Sequence, residues 1–377
     1  MTMFIRKPDV RSVTVALCIG AFFLLVFIVT YKINLKTQQH VRAPTVELKG
    51  LVAVDVEPYF KDPRVQKTLE EKNLRVTVTR VGSRGNMAKK VKEEQNWDFC
   101  FSSGVVAANQ IVDTARELKL SPTQSALFHT PLVIASWDRV AKILVANGVA
   151  TPIAPKTYSV NMGALTELML AHKRWKDLKG SAYDANSPVL VYTTHPRSSA
   201  SAGLYLALTS AVFNKGDIVT DRTQAKEVAL KLTELFKRQG YMESYVDQLF
   251  LAYAGMGDNR APLAFLYEYQ MANHALTKVA FDADMVLMYP QPTIVNQWVF
   301  VAISDRAKEL MELLSSDSKL QGVAVEYGFR TADVNRFVET VKSTGLAFEP
   351  RVSHLINTPS IEIMNEMLDT VTVELLK

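Results

Sequence analysis

The sequence predicts an α/β protein built on a parallel sheet, and two observations carry that prediction. Short strand-like runs alternate with helix-like runs along most of the chain, the order that right-handed crossovers turn into a parallel sheet. Two of the strands, 97–101 and 188–192, run into serine-rich turns that open helices, and such junctions are where open α/β sheets bind ligands. The 377 residues are 48% hydrophobic and 21% charged, a globular balance with room for two domains and a sizeable core.

The N-terminal end reads differently. Residues 12–31 carry no charge and match the ~20 apolar positions that span a hydrocarbon core, which predicts a transmembrane helix. The run is long for a signal peptide and no small-x-small cleavage site follows it, so the anchor is expected to stay in place. Leu17 before Cys18 argues against lipid attachment. Arg6, Lys7 and Arg11 against Asp9 place residues 1–11 in the cytoplasm and the large domain in the periplasm or outside, anchored by a single pass in the inner membrane. Residues 32–49 form a polar tether of at most ~60 Å, at about 3.3 Å per residue.

Beyond the tether, strands are expected at 51–56, 74–81, 97–101 and 131–136, with helices between them at 63–72, 86–94 and 105–118. Period-two alternation supports the second strand, and amphipathic periodicity supports the helices. Helices at 139–146 and 162–175 precede the strand at 188–192, which leads into an apolar helix at 204–213. Asp221-Arg222-Thr223-Gln224 resembles a capping box, opening a helix with an apolar stripe of Val228, Leu232, Leu235 and Phe236 that Gly240 ends. Strands at 263–267, 284–290 and 297–303 and helices at 305–314 and 333–343 complete the pattern, without internal repeat or low-complexity segment.

The formal net charge of +5 includes the basic N-terminal tail, so the remainder is close to neutral and carries no surface for nucleic acid. Cys18 and Cys100, the two cysteines, cannot pair with each other and exclude a multi-cysteine zinc site. None of the six histidines is spaced as a helical metal pair. The chain lacks Gly-x-Ser-x-Gly, a phosphate loop and His-Glu-x-x-His, and no cofactor is implied. Ser199 with His195 as base is the sharpest enzyme alternative, but no third group is in sight to orient the imidazole.

The candidate site starts from residues 195–203 (His-Pro-Arg-Ser-Ser-Ala-Ser-Ala-Gly). The first N–H groups of the following helix lack intrahelical partners, the serine hydroxyls can donate or accept, and Arg197 adds charge. The same residues also suit an ordinary serine-rich N-cap. Ser102 and Ser103 have the same placement at the end of another strand.

From Leu51 to Arg330 the order of elements resembles the type II periplasmic solute-binding proteins, two-lobed receptors that close on a small molecule. The most telling stretch holds Val286-Leu287-Met288-Tyr289-Pro290, Pro292-Thr293-Ile294-Val295-Asn296 and Val325-Glu326-Tyr327-Gly328-Phe329-Arg330, similar to the closing segment of molybdate-type receptors. The resemblance implies a two-lobed type II periplasmic-binding-protein-like fold behind the N-terminal transmembrane helix, and non-catalytic capture of a small polar or charged solute. It implies a first lobe over 50–136, a second over 137–283, a return over 284–345 and an extension over 346–377.

Carried across, it puts Ser102 and Ser103 on the first lobe, facing Arg197, Ser198, Ser199 and Ser201 on the second, with Tyr267, Glu268 and Tyr289 near the crossings. Glu57 stands where an oxyanion receptor offers a small hydroxyl residue. Unpaired carboxylates at Glu57 and Glu268 would repel an anion, so either they pair with Arg197 or other bases, or the ligand is positive. The implied partner is a transporter or sensor in the same membrane. The alternative is a tethered scaffold that keeps the fold for protein contacts.

Overall fold

The computed structural model describes residues 27–29, 44–82, 87–180, 186–258, 261–277 and 283–377. In chain order β1 (Val46–Ala53) ends in a 3-10 turn, followed by α1 (Glu57–Lys61), α2 (Pro63–Glu71), β2 (Leu74–Val81), α3 (Met87–Glu94), β3 (Phe99–Ser103) and α4 (Val105–Glu117). Next come β4 (Thr123–Trp137), α5 (Asp138–Ala146), the hairpin β5 (Ala150–Ala154) and β6 (Thr157–Asn161), α6 (Met162–Leu170), α7 (Ala200–Phe213), α8 (Arg222–Lys237) and α9 (Val246–Met256). The last third holds β7 (Leu263–Tyr267), α10 (Glu268–Thr277), β8 (Met285–Gln291), β9 (Val295–Ala302), α11 (Asp305–Ser316), α12 (Ser318–Glu326), α13 (Val334–Val341) and α14 (Ile361–Leu375).

The long strand β4 divides the molecule into two lobes. Its first half, up to Pro131, pairs antiparallel with β9, which joins the parallel group β2-β1-β3. Its second half, from Leu132, pairs with β7 on one side and β8 on the other, and β8 continues to β6 and β5. Strand partners therefore change at Pro131/Leu132 on the way out and between Gln291 and Val295 on the way back, several residues from the Ser136 and Asp284 expected from the sequence. A third passage follows: residues 345–360 run along the hinge, where Thr293 N donates to His354 O and Ile356 N to Thr293 O, and then deliver α14 onto α7 and α8.

Each lobe has a physical reason to hold its shape. Buried strands of a parallel group read as continuous apolar runs, and β3 is such a run, buried from Phe99 to Ser102. It feeds an aromatic core in which Phe99 stacks on Phe300 at 4.8 Å and Phe128 on Phe329 at 5.4 Å. Gly50 lies under the Phe99 ring, where a Cβ would come within 2.1 Å of it. In the second lobe α7 is apolar on every side because the sheet, α6, α8 and α14 enclose it.

Several expectations change in detail. The first strand ends at Ala53, earlier than 56, because Val54–Val56 curls into the 3-10 turn. Residues 188–192 form no long ladder: Tyr192 alone bridges β7, its N–H donating to Leu263 O and its carbonyl accepting from Phe265 N. The helix expected at 162–175 stops at Leu170, and the one expected at 204 starts at Ala200. The hairpin β5–β6, α9, α10, α12 and α14 had no counterpart in the sequence reading. The membrane span expected at 12–31 lies outside the described residues except for 27–29, and among the described residues no helix is long and apolar enough to cross a membrane.

One glycine ties the lobes together. Gly328 has φ +85°, and a Cβ there would lie 2.2 Å from the Tyr269 carbonyl oxygen. Gly328→Ala is expected to cost ~1–3 kcal/mol through overpacking and left-handed strain, read as a lower urea midpoint; an unchanged midpoint would show that the Tyr269 backbone yields without cost.

Candidate ligand cleft

The two lobes meet over a cleft whose walls come from the ends of strands and the starts of helices. The first lobe contributes Val54 and Asp55, in the turn at the carboxyl end of β1. The second contributes Ser199 and Ala200 at the start of α7, and Tyr245, Val246 and Asp247 at the start of α9; Tyr267, the last residue of β7, lies between them. The room left is about 20 Å³, enough for one water-sized group.

Below this space lies an aromatic floor. Tyr267 stacks on Tyr269 with centroids 5.8 Å apart, and Tyr269 meets Trp298 edge-on at 5.4 Å. Trp298 Nε1 donates to Asp55 Oδ2 at 3.3 Å. The Tyr269 hydroxyl lies near both Asp55 and Asp247 and favours the charged form of each, while Gln270 Nε2 donates to Asp247 Oδ1 at 3.0 Å. Ser103 lies near the Tyr267 hydroxyl and accepts from Asn296 Nδ2 at 3.0 Å.

One phenol thus lies near two carboxylates on opposite lobes, and the electrostatics follow. Desolvation, and then the charge of Asp247, push Asp55 up to about 7 against the opposing hydrogen bonds from Trp298 and Tyr269. Desolvation also raises Asp247, and it keeps Tyr267 and Tyr269 neutral, well above the usual phenol range. Near neutral pH Asp55 is therefore partly protonated.

The expected site residues fall into three groups. Ser199 lines the cleft, its hydroxyl 2.9 Å from that of Ser201, which is in turn 2.7 Å from Thr194 Oγ1; Ser103 and Tyr267 join the floor. Ser102 is buried within the first lobe, its hydroxyl directed to Val299 O at 3.5 Å. Ser198 Oγ donates to Ser244 O at 3.1 Å, and Arg197 is exposed on the turn. Glu57, Glu268 and Tyr289 do not line the cleft. Glu57 pairs with Lys61 at 2.7 Å and Arg80 at 3.6 Å.

Glu268, fully buried, receives Arg330 Nε at 2.5 Å and Nη2 at 2.8 Å together with the Tyr289 hydroxyl, behind the hinge. Both glutamates are therefore paired, and with bases other than Arg197. The Ser199–His195 hydrolase alternative meets different partners: Ser199 bonds Ser201, and His195 Nδ1 accepts from Arg197 N at 3.1 Å.

No protein-family profile and no curated protein matches the sequence. The architecture does match solved structures. A Bordetella ferric binding protein aligns with a TM-score of 0.53 at 13% identity, over 88% of this chain and 98% of that one. The sulfate-binding protein SubI from Mycobacterium tuberculosis aligns with a TM-score of 0.51 at 12% identity, over 85% and 96%. Iron-bound HitA from Pseudomonas aeruginosa aligns at 0.50 and 11%, over 86% and 99%. The fold is that of the two-lobed periplasmic solute-binding proteins.

The residues that sequence reasoning missed are Asp55, Asp247, Tyr269 and Trp298. Asp55 carried a signal, since it is the one acid in the apolar run 51–56 and stands at the carboxyl end of a strand. Asp247, Tyr269 and Trp298 carried none, because only the folded chain brings α9, α10 and β9 to the same point.

Proposed function

We propose that the chain is a membrane-anchored, extracytoplasmic solute-binding protein that captures a protonated amine between its lobes without catalysis. The observation that carries this reading is the pair Asp55 and Asp247, one from each lobe, both lining the cleft and close enough for the charge of Asp247 to act on Asp55. The starts of α7 and α9 bring two helix N-termini to the cleft, worth roughly +0.5 charge each, against two carboxylates. The ionised cleft is thus short of about one positive charge, and no Lys or Arg is among the residues that line it.

An ammonium group suits the available space and donors. Its N–H groups can bond both carboxylates in place of the proton that Asp55 carries, while the aromatic floor attracts its charge. Closure then follows from one ligand bridging both lobes. The single-pass anchor over residues 12–31 and the short tether suit delivery of the solute, or of a signal that it is bound, to a partner in the same membrane.

A thermal-shift and calorimetric screen of the full chain at pH 8 tests the reading. Primary amines and diamines are expected to stabilise it, by about 2.7 kcal/mol at a hundredfold excess over Kd, while sulfate and molybdate leave it unchanged. Stabilisation by oxyanions alone would overturn the choice of ligand, and no response to any solute would favour the tethered scaffold.

A further inference from the structure

A second hollow, of about 610 Å³, lies at the return crossing, within the size range of small-molecule sites. Its walls are aliphatic: Ile153 from β5, with Val352 and Ile356 from the segment that runs along the hinge. Two opposite charges border it, Glu349 and Arg351, and among the described residues neither side chain makes a hydrogen bond or ion pair. Ser159 and Gln291 also line it.

Each of these features asks for a complement. Apolar walls take an aliphatic body, the carboxylate of Glu349 takes a cation, and the guanidinium of Arg351 takes a carboxylate with its paired donors. We infer that this hollow is a second ligand site, separate from the interlobe cleft, for a small zwitterion with an aliphatic body, the chemistry of an apolar amino acid. Its ammonium group is met by Glu349, its carboxylate by Arg351 and its side chain by Ile153, Val352 and Ile356.

Calorimetry or saturation-transfer NMR of leucine against the full chain tests the assignment. Leucine is expected to bind, whereas leucinamide, without the carboxylate, and 4-methylpentanoate, without the amine, bind at least about tenfold more weakly. Glu349→Gln and Arg351→Gln, both at solvent-facing side chains, should each weaken leucine about tenfold. In Asp55→Asn, whose amine cleft is disabled, one leucine site should remain and should be lost on adding Arg351→Gln, which separates this site from the amine cleft. Failure of leucine to bind, equal binding of 4-methylpentanoate, or loss on Asp55→Asn but not on Arg351→Gln would each overturn the assignment. Far-UV circular dichroism of the variants shows that any loss is local.

Discussion

Asp55→Asn is expected to abolish measurable amine binding, a loss of roughly a hundredfold or more, because it removes one of two carboxylates that face the cation in an enclosed space. The same change should stabilise the empty protein above pH 7. Asp55 is raised from 3.8 to about 7 on folding, so the folded state holds a proton that the unfolded chain has already released. Stability from this group is complete below pH 4, is lost as pH rises from about 4 to about 7, and stays lost above that. Urea titrations should show that decline in the wild type and a flatter profile in Asp55→Asn.

Amine affinity runs the opposite way, tightening up to about tenfold per pH unit toward 7 and levelling above it, because ligand and proton compete for the same oxygens. Calorimetry in buffers of different ionisation enthalpy should detect the released proton. Binding that is independent of pH between 5 and 8 would remove Asp55 from the site.

The largest loss of stability is expected from Arg330→Met. Glu268 has no exposure and Arg330 has 4%, and their paired hydrogen bonds are supplemented by Arg330 Nη2 donating to Glu349 O at 2.6 Å and Nη1 to Pro350 O at 3.2 Å. Removing the guanidinium strands a buried carboxylate and two carbonyls, a cost of ~3–5 kcal/mol. Adding Glu268→Gln to Arg330→Met should restore much of that, since a neutral amide needs no counter-charge. Chemical denaturation of the wild type and both variants measures the difference; a loss below about 1 kcal/mol for Arg330→Met would mean that the hinge relaxes to hydrate Glu268.

The elements that were legible in the sequence share one property: their pattern is written in neighbours along the chain. The alternation in β2, the Asp221 cap of α8 and the serine turn that opens α7 depend on residues a few positions apart, and the structure has each in place. Glu57 and Glu268 show the opposite case. As sequence they are acids near strand ends; Glu57 has Lys61 four positions on, but its second base, Arg80, and the base that neutralises Glu268, Arg330, come from far away along the chain.

By itself the sequence determined the α/β class and the strand-to-helix junction at Ser103, because hydrophobic period and turn chemistry are local. Tertiary structure alone decided which polar groups are desolvated together. Asp55, Asp247 and Tyr269 come from three separate parts of the chain, and it is their shared burial that raises both carboxyls above the usual range.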